Sequence, residues 1–401
     1  MIRKGEEERI DLDNIADGLS EIRPYKKKET KSEKKKEIKA EKVRFSSVAI
    51  LLSSVALLCG LIGYVTVVYG NIPFFVRWRN IWIETAMTTD QHKWLAEAFL
   101  PGRLVKEVMD AQIDIKDVSV TETKPVEEEI VEEEIVDVYG NTGPDILGHT
   151  YLVEGEDDPK GNNVYRNDVE QGIVIIDVKK SSYRGKLVMI DDPSRIYLTT
   201  TNRKGVIGRF ICDYLEDEGA ILGINGSGFK DPGGHGKGGV VGGLCVSKGN
   251  YWGTYKSKYT LVGFDDEDRL VVGGMKNWKD YNIRDGVQYR PTLILDGKKV
   301  VSDSSGWGLQ PRTVIGQRSD GVVFIFVVDG RKVGHSLGAT MGECADLLLE
   351  YGAVTAGACD GGSSATLAYN GEIINKPSTN MPTGRYLPNA WMVAPKSADE
   401  E

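Results

Sequence analysis

No charged side chain occurs between Arg44 and Arg77. The apolar centre of that gap, SSVAILLSSVALLCGLIGYVTVVY (residues 46–69), is longer than the roughly 20 residues that span a bilayer as a helix. It lacks the shorter core and early small-residue cleavage site of a secretory leader. A buried soluble helix would carry a polar face, which this run does not. The pattern predicts one uncleaved membrane-spanning helix. KKKETKSEKKKEIKAEKVR (26–44) precedes it and only Arg77 and Arg79 follow closely. The positive-inside rule then keeps the N-terminus in the cytoplasm and the rest outside a single-pass cell membrane protein.

Beyond the gap, Thr88, Thr89 or Asp90 can cap a helix that stops near Pro101-Gly102. TKPVEEEIVEEEIVDV (123–138) reads as an acidic, solvated stalk, without the Asp-rich, Gly-punctuated loop of a calcium site. From about residue 150 short β-rich runs alternate with turn residues: IVIIDV (173–178), KLVMI (186–190), TLILD (292–296), VVFIFVVD (322–329) and AWMVA (390–394). VVFIFVV is apolar at every position, which predicts a central strand covered on both sides. TMGECADLLLEYG (340–352) reads as a helix with a Thr340–Glu343 capping box and Gly352 at its end. These elements predict an α+β (mixed α/β) fold of mixed β-sheets flanked by helices, in one extracytoplasmic domain. The expected organisation is a cytoplasmic charged tail (1–44), a transmembrane helix (45–70), a juxtamembrane helical region and stalk (71–140), and a folded domain (141–401).

Charge sharpens this picture. Residues 1–44 hold 14 Lys and Arg against 11 Asp and Glu, a local +3; with the chain at −9, residues 45–401 carry −12. An acidic body argues against nucleic acid as partner. The basic tail also suits an anionic lipid surface. The five cysteines, Cys59, Cys212, Cys245, Cys344 and Cys359, have no zinc spacing and read as small buried side chains, with one bridge among the last four left open. His92, His149, His235 and His335 show no paired spacing, and neither a P-loop, a G-x-S-x-G nor an H-E-x-x-H occurs. No metal or cofactor is implied.

Four stretches are chemically dense: GINGSGFKDPGGHGKGGVVGG (223–243), PRTVIGQRSDG (311–321), VVDGRKVGHSLGATMGECADLL (327–348) and ACDGGSSATLAYNGEIINKPS (358–378), the last followed by GRYLPNAWMV (384–393). Gly-rich turns expose backbone N–H groups and admit a ligand closely. Asn225 and Asp360 follow short apolar runs, which puts them at strand ends, where open sheets bind ligands. Arg312, Arg331 and Arg385 offer forks that match phosphate oxygens. Plainer readings stand beside these. Asn370-Gly371 and Asp329-Gly330 are ordinary turn signals. Thr340 and Glu343 can serve purely as a helix cap, and His92 and His235 as surface residues.

Taken in order, N-G-x-G-F, P-R-T, V-D-G-R, T-x-x-E, D-G-G-S-S, N-x-P-S and a late G-R resemble the phosphodiester glycosidase family over roughly residues 170–395. Where that family often has D-G-G-G-S-[ST]-T-M, Ser363 stands for a glycine and Ala365 for a hydroxyl residue, with no change of length. The resemblance implies hydrolysis of a sugar-1-phosphodiester to a free sugar and a phosphomonoester. It implies a catalytic carboxylate from Asp360, Glu343 or Asp329. Arg312 and Arg331, with the Gly-loop amides, would hold the phosphate, with Asn225, Ser364 and Arg385 orienting the sugar, and Thr340, Gly361, Gly362 and Ser363 complete the implied substrate-binding set. A non-catalytic binding or scaffold protein for an anionic cell-wall glycopolymer would use the same loops, as would a glycan-phosphate transferase.

Overall fold

The computed structural model describes residues 31–89, 92–110, 118–122, 135–232, 235–275, 277–302, 307–379 and 381–397. The charged N-terminal tail through residue 30, Asp90 and residues 123–134 of the acidic run lie outside them. The chain divides into two units, Met1–Tyr69 and Gly70–Glu401. Within the first, Lys31–Tyr69 is one 39-residue helix, the single helix among the described residues long and apolar enough to cross a membrane.

In the second unit the strand Val323–Val328 is buried at every residue. Its side chains alternate between two cores, as the two-residue period of a strand requires. Val323, Ile325 and Val327 pack in a cluster with Ile173, Ile190 and Trp391. Phe324, Phe326 and Val328 pack in another with Met341, Leu347 and Leu348. This strand lies inside an eight-stranded sheet whose spatial order is Lys298–Lys299, Thr292–Leu295, Thr355–Ala358, Arg312–Gln317, Val323–Val328, Arg184–Ile190, Ile173–Lys179 and Asn163–Asp168. The helix Met341–Glu350 covers one face.

A five-stranded sheet runs Glu372–Ile373, Leu367–Tyr369, Leu222–Asn225, Asn389–Val393 and Ile196–Thr200. A six-stranded sheet runs Val118–Val120, Leu270–Gly273, Thr260–Asp265, Ile283–Tyr289, Leu244–Ser247 and Asn250–Gly253. The α+β class is as expected, and every pairing among the described strands is antiparallel, so the mixture is of helices with antiparallel sheets. Asn370 and Gly371 take φ of +49° and +80° between Leu367–Tyr369 and Glu372–Ile373, the hairpin turn their sequence predicts. All five cysteines are free.

One local expectation changes, the residue that caps the helix after Thr88. The helix expected between Thr88–Asp90 and Pro101 is present as the short helix Lys93–Glu97, with His92 at its N-cap, and a longer helix, Pro73–Met87, with Pro73 at its first turn, runs before Thr88. Thr88 ends it, its hydroxyl donating to the Glu84 carbonyl at 2.7 Å. Ile83 and Ala86 bury one face of this longer helix in a cluster with Ala96, Val105 and Val108, carried by Lys93–Glu97 and a further short helix at Gly102–Asp110. Residues 73–110 and the edge strand Val118–Val120 thus fold in the unit that holds the sheets.

Candidate active site

The strand Thr355–Ala358 delivers Asp360 to its end through Cys359. The Asp360 main chain is tied on both sides. Its N–H donates to the Gly226 carbonyl at 2.9 Å, and its carbonyl accepts the Asn225 amide at 2.6 Å. Asn225 is fully buried, and its oxygen accepts the Thr313 hydroxyl at 2.8 Å and the Thr366 N–H at 3.1 Å. One carboxamide therefore ties ends of the eight- and five-stranded sheets beneath the loop. Asn225 does not line the cavity above, so its place is under the loop rather than against a ligand.

Gly361–Ser364 turns sharply, with a single 3-10 turn at Gly362–Ser364. Gly362 has φ +63°, and a Cβ there would lie 3.3 Å from the Arg331 guanidinium. The Gly361 N–H donates to the Asp360 carboxylate at 3.0 Å. Burial raises the Asp360 pKa above the usual carboxylate range. Hydrogen bonds from Ser364 and Tyr289, the Arg385 charge and the Gly361 amide oppose the shift without cancelling it. Burial and the same carboxylate hold the Tyr289 phenol well above its ordinary value.

These groups open on a cavity of about 1150 Å³. Six Lys and Arg side chains line it against two carboxylates, Asp231 and Asp360, so it presents a positive field to an anion. Arg385 grips Asp231 with two N–H groups, at 2.5 and 2.9 Å, and donates to Ser363 Oγ at 3.0 Å and the Gly236 carbonyl at 3.1 Å. Its guanidinium lies 4.8 Å from the centre of the Phe229 ring. Burial alone would raise the Asp231 pKa; Arg385 and the Gly236 N–H bring it below the usual range.

Arg312 is 3% exposed and its donors turn to the protein. Nε meets the Ala339 carbonyl at 3.0 Å, and Nη2 the Trp307 and Gly308 carbonyls at 2.8 and 2.6 Å. Burial lowers its pKa to about 10. Arg331 is held by Gln310, whose Oε1 accepts Nε at 3.1 Å and Nη2 at 2.5 Å. The Gln310 amide faces the helix end, 3.2 Å from the Thr85 carbonyl and from the hydroxyls of Thr88 and Thr89. Glu84 accepts the Gly308 N–H at 3.1 Å, and the Thr85 hydroxyl accepts the Leu309 N–H at 2.9 Å. Thr88, Thr89 and His92 also line the cavity, so this helical segment forms part of its wall.

Arg312, Arg331, Asp360, Gly361, Gly362, Ser363, Ser364 and Arg385 come together at the cavity; Asp329, Glu343 and Thr340 do not line it. Thr340 and Glu343 form the reciprocal capping box of the helix Met341–Glu350, at 3.1 and 2.8 Å. Asp329 accepts from Asn375 and the Lys376 N–H at 3.2 and 2.7 Å and meets His335 Nε2 at 2.8 Å, joining two loops. Tyr289, Gln310, Asp231, Tyr259 and Trp307 are cavity residues that local motifs do not single out. Asp231 lies in a flagged Gly-rich stretch, which is the one signal available for it. Among the described residues no three His, Cys, Asp or Glu side chains gather as a metal site requires.

Residues 218–394 match the family model described as phosphodiester glycosidase. The SPbeta prophage-derived uncharacterized protein YomE of Bacillus subtilis strain 168 is 32% identical over 200 residues, 47% of this chain; the chain spans only 29% of that relative's length. Among solved structures, the catalytic domain of zebrafish N-acetylglucosamine-1-phosphodiester alpha-N-acetylglucosaminidase, auto-inhibited by its pro-peptide, aligns with 15% identity and a TM-score of 0.47, over 72% of this chain and 93% of that one. A Synechocystis protein aligns with 17% identity and a TM-score of 0.42, over 56% and 62% of the two chains.

Proposed function

We propose that this phosphodiester glycosidase domain hydrolyses a sugar-1-phosphodiester outside the cytoplasmic membrane, releasing a free sugar and a phosphomonoester. The observation that carries the reading is one carboxylate of raised pKa, Asp360, in a cavity lined by cations. A phosphate is a good leaving group, so one carboxylate suffices where most glycosidases need an acid and a base. A water oxygen bonds to the anomeric carbon while the bond from that carbon to the phosphate oxygen breaks. The electron pair of the broken bond stays on the phosphate, and the water proton passes to Asp360. Arg331, Arg385 and the hydroxyl of Ser363 receive the departing charge. A base with a raised pKa is better matched to proton transfer near neutral pH. In this reading Asp329, Glu343 and Thr340 are structural, Asn225 fixes the backbone under Asp360, and Arg312 braces the loops around it.

Residues 45–70 anchor the domain, residues 1–44 lie in the cytoplasm, and residues 141–401 hold the site, with a wall contributed by Thr88, Thr89 and His92. An anionic cell-surface polymer or exopolysaccharide is then the accessible substrate. The test is release of reducing sugar from a panel of sugar-1-phosphodiesters, led by N-acetylglucosamine α-phosphodiesters and teichoic-acid fragments. Release by the native chain and its loss in Asp360→Asn supports hydrolysis. Tight binding of the same compounds with no release would instead assign the cavity to capture of the polymer.

A further inference from the structure

We propose that the aromatic side of the cavity is a second subsite, for a sugar ring on the far side of the scissile phosphodiester that itself carries a further anionic group. The proposal rests on the hydrolytic reading above and names the substrate as an oligomer of phosphate-linked sugars. Three half-buried rings form the subsite. Tyr289, at the Asp360 carboxylate, meets Tyr259 with ring centres 6.4 Å apart and Trp307 with centres 6.3 Å apart. The rings are set in place beforehand. The Arg290 guanidinium lies 5.5 Å from the Tyr259 ring centre and 5.0 Å from that of Trp307, clasping the two. Gln288, 1% exposed, pins the neighbouring loop, accepting the Lys256 N–H at 2.8 Å and donating to the Lys256 carbonyl at 3.1 Å.

Lys256 is exposed, with Nζ 4.9 Å from the Tyr259 ring centre, so a cation stands at the outer edge of the platform. A ring with an apolar face would lie on the aromatics, and its anionic substituent would meet Lys256. The contacting pairs are tilted by 69° and 40°, which leaves no parallel slot in either pair for a flat base and favours the puckered face of a sugar. The volume agrees: about 1150 Å³ exceeds the roughly 300–1,000 Å³ that houses a drug-sized ligand, and a single sugar phosphate is smaller than that.

The experiment compares two probes with the full chain in detergent: the methyl phosphodiester of N-acetylglucosamine 1-phosphate, and a trimer of that sugar joined through 1-phosphodiesters. The trimer is expected to show kcat/KM at least about tenfold higher. Tyr259→Ala and Lys256→Ala should each remove most of that preference while leaving the methyl ester rate unchanged, and Tyr259→Phe should restore it. Equal kcat/KM for both probes, or a preference that survives both alanine variants, overturns the subsite. If neither probe is hydrolysed, the hydrolytic reading has failed separately. Calorimetry then decides the subsite: trimer binding weakened about tenfold by Tyr259→Ala supports it, and unchanged binding overturns it. A uridine diphosphate sugar preferred over the trimer through Tyr259 would assign the platform to a nucleobase and overturn the proposal.

Discussion

Gln310 holds Arg331 through a single carboxamide oxygen, at 3.1 Å to Nε and 2.5 Å to Nη2. The other end of the same carboxamide rests on the helix end at Thr85, Thr88 and Thr89. Arg331 therefore takes its position from a segment more than two hundred residues away in sequence. Gln310→Ala frees the guanidinium to choose other rotamers. The expected outcome is a KM for a sugar-1-phosphodiester raised about tenfold with a smaller change in kcat, read from steady-state kinetics. Gln310→Glu keeps the acceptors for Arg331 and should recover part of the loss.

The same contacts set where the chain can be shortened. A chain starting at Gly70 retains Glu84, Thr85, Thr88 and Thr89 and is expected to keep full turnover. One starting at residue 140 loses the partners of Gly308, Leu309 and Gln310. It should fall in activity about tenfold or more and melt at a lower temperature. Equal turnover of the two would remove the helix from the site.

Asp360→Asn should lower kcat by about 10²–10⁴-fold, the range for losing a general base, with the fold retained by circular dichroism. The pH profile supplies an independent check. The reactive form is the carboxylate, and burial raises its pKa, so activity should fall, as pH drops, at a higher pH than for a free aspartate. Tyr289 favours the charged form. Tyr289→Phe removes that contribution and should move the acidic limb further up, by about one unit. A downward shift would contradict the sign of the Tyr289 contribution.

The capping box gives the opposite signature. Thr340→Ala removes the hydroxyl that accepts the Glu343 N–H, which costs about 1 kcal/mol of stability. Since neither residue lines the cavity, kcat and KM of the folded protein should be unchanged. A urea titration beside the kinetics separates the two effects.

Which parts could be read from the chain follows from the reach of each interaction. The strand Val323–Val328, the Asn370-Gly371 turn and the Thr340–Glu343 box are set by neighbours within a few residues, and pattern alone locates them. Asp360 and its glycines were visible because one short loop needs all of them together. The family pattern also nominated Glu343 and Asp329, but their carboxylates are engaged by a helix cap and a loop junction. Sequence could not separate those uses, since a T-x-x-E serves either. Tyr289, Trp307 and Gln310 sit in unremarkable contexts and become site residues only when distant elements meet. A helix follows Thr88–Asp90, at Lys93–Glu97 with His92 at its N-cap, while Thr88 itself ends the helix Pro73–Met87.

The Asn225 carboxamide fastens the Asp360 backbone from beneath, while the lining around it comes from loops such as those carrying Phe229–Asp231, Lys256–Tyr259 and Met381–Tyr386. Floor and wall are thus separable inheritances. Insertions or exchanges in the loops can re-specify which ligand is admitted without disturbing the strand ends that set the Asp360 carboxylate. A lineage built this way can follow a changing ligand by rewriting its rim, and a designer can graft a new rim onto the same floor.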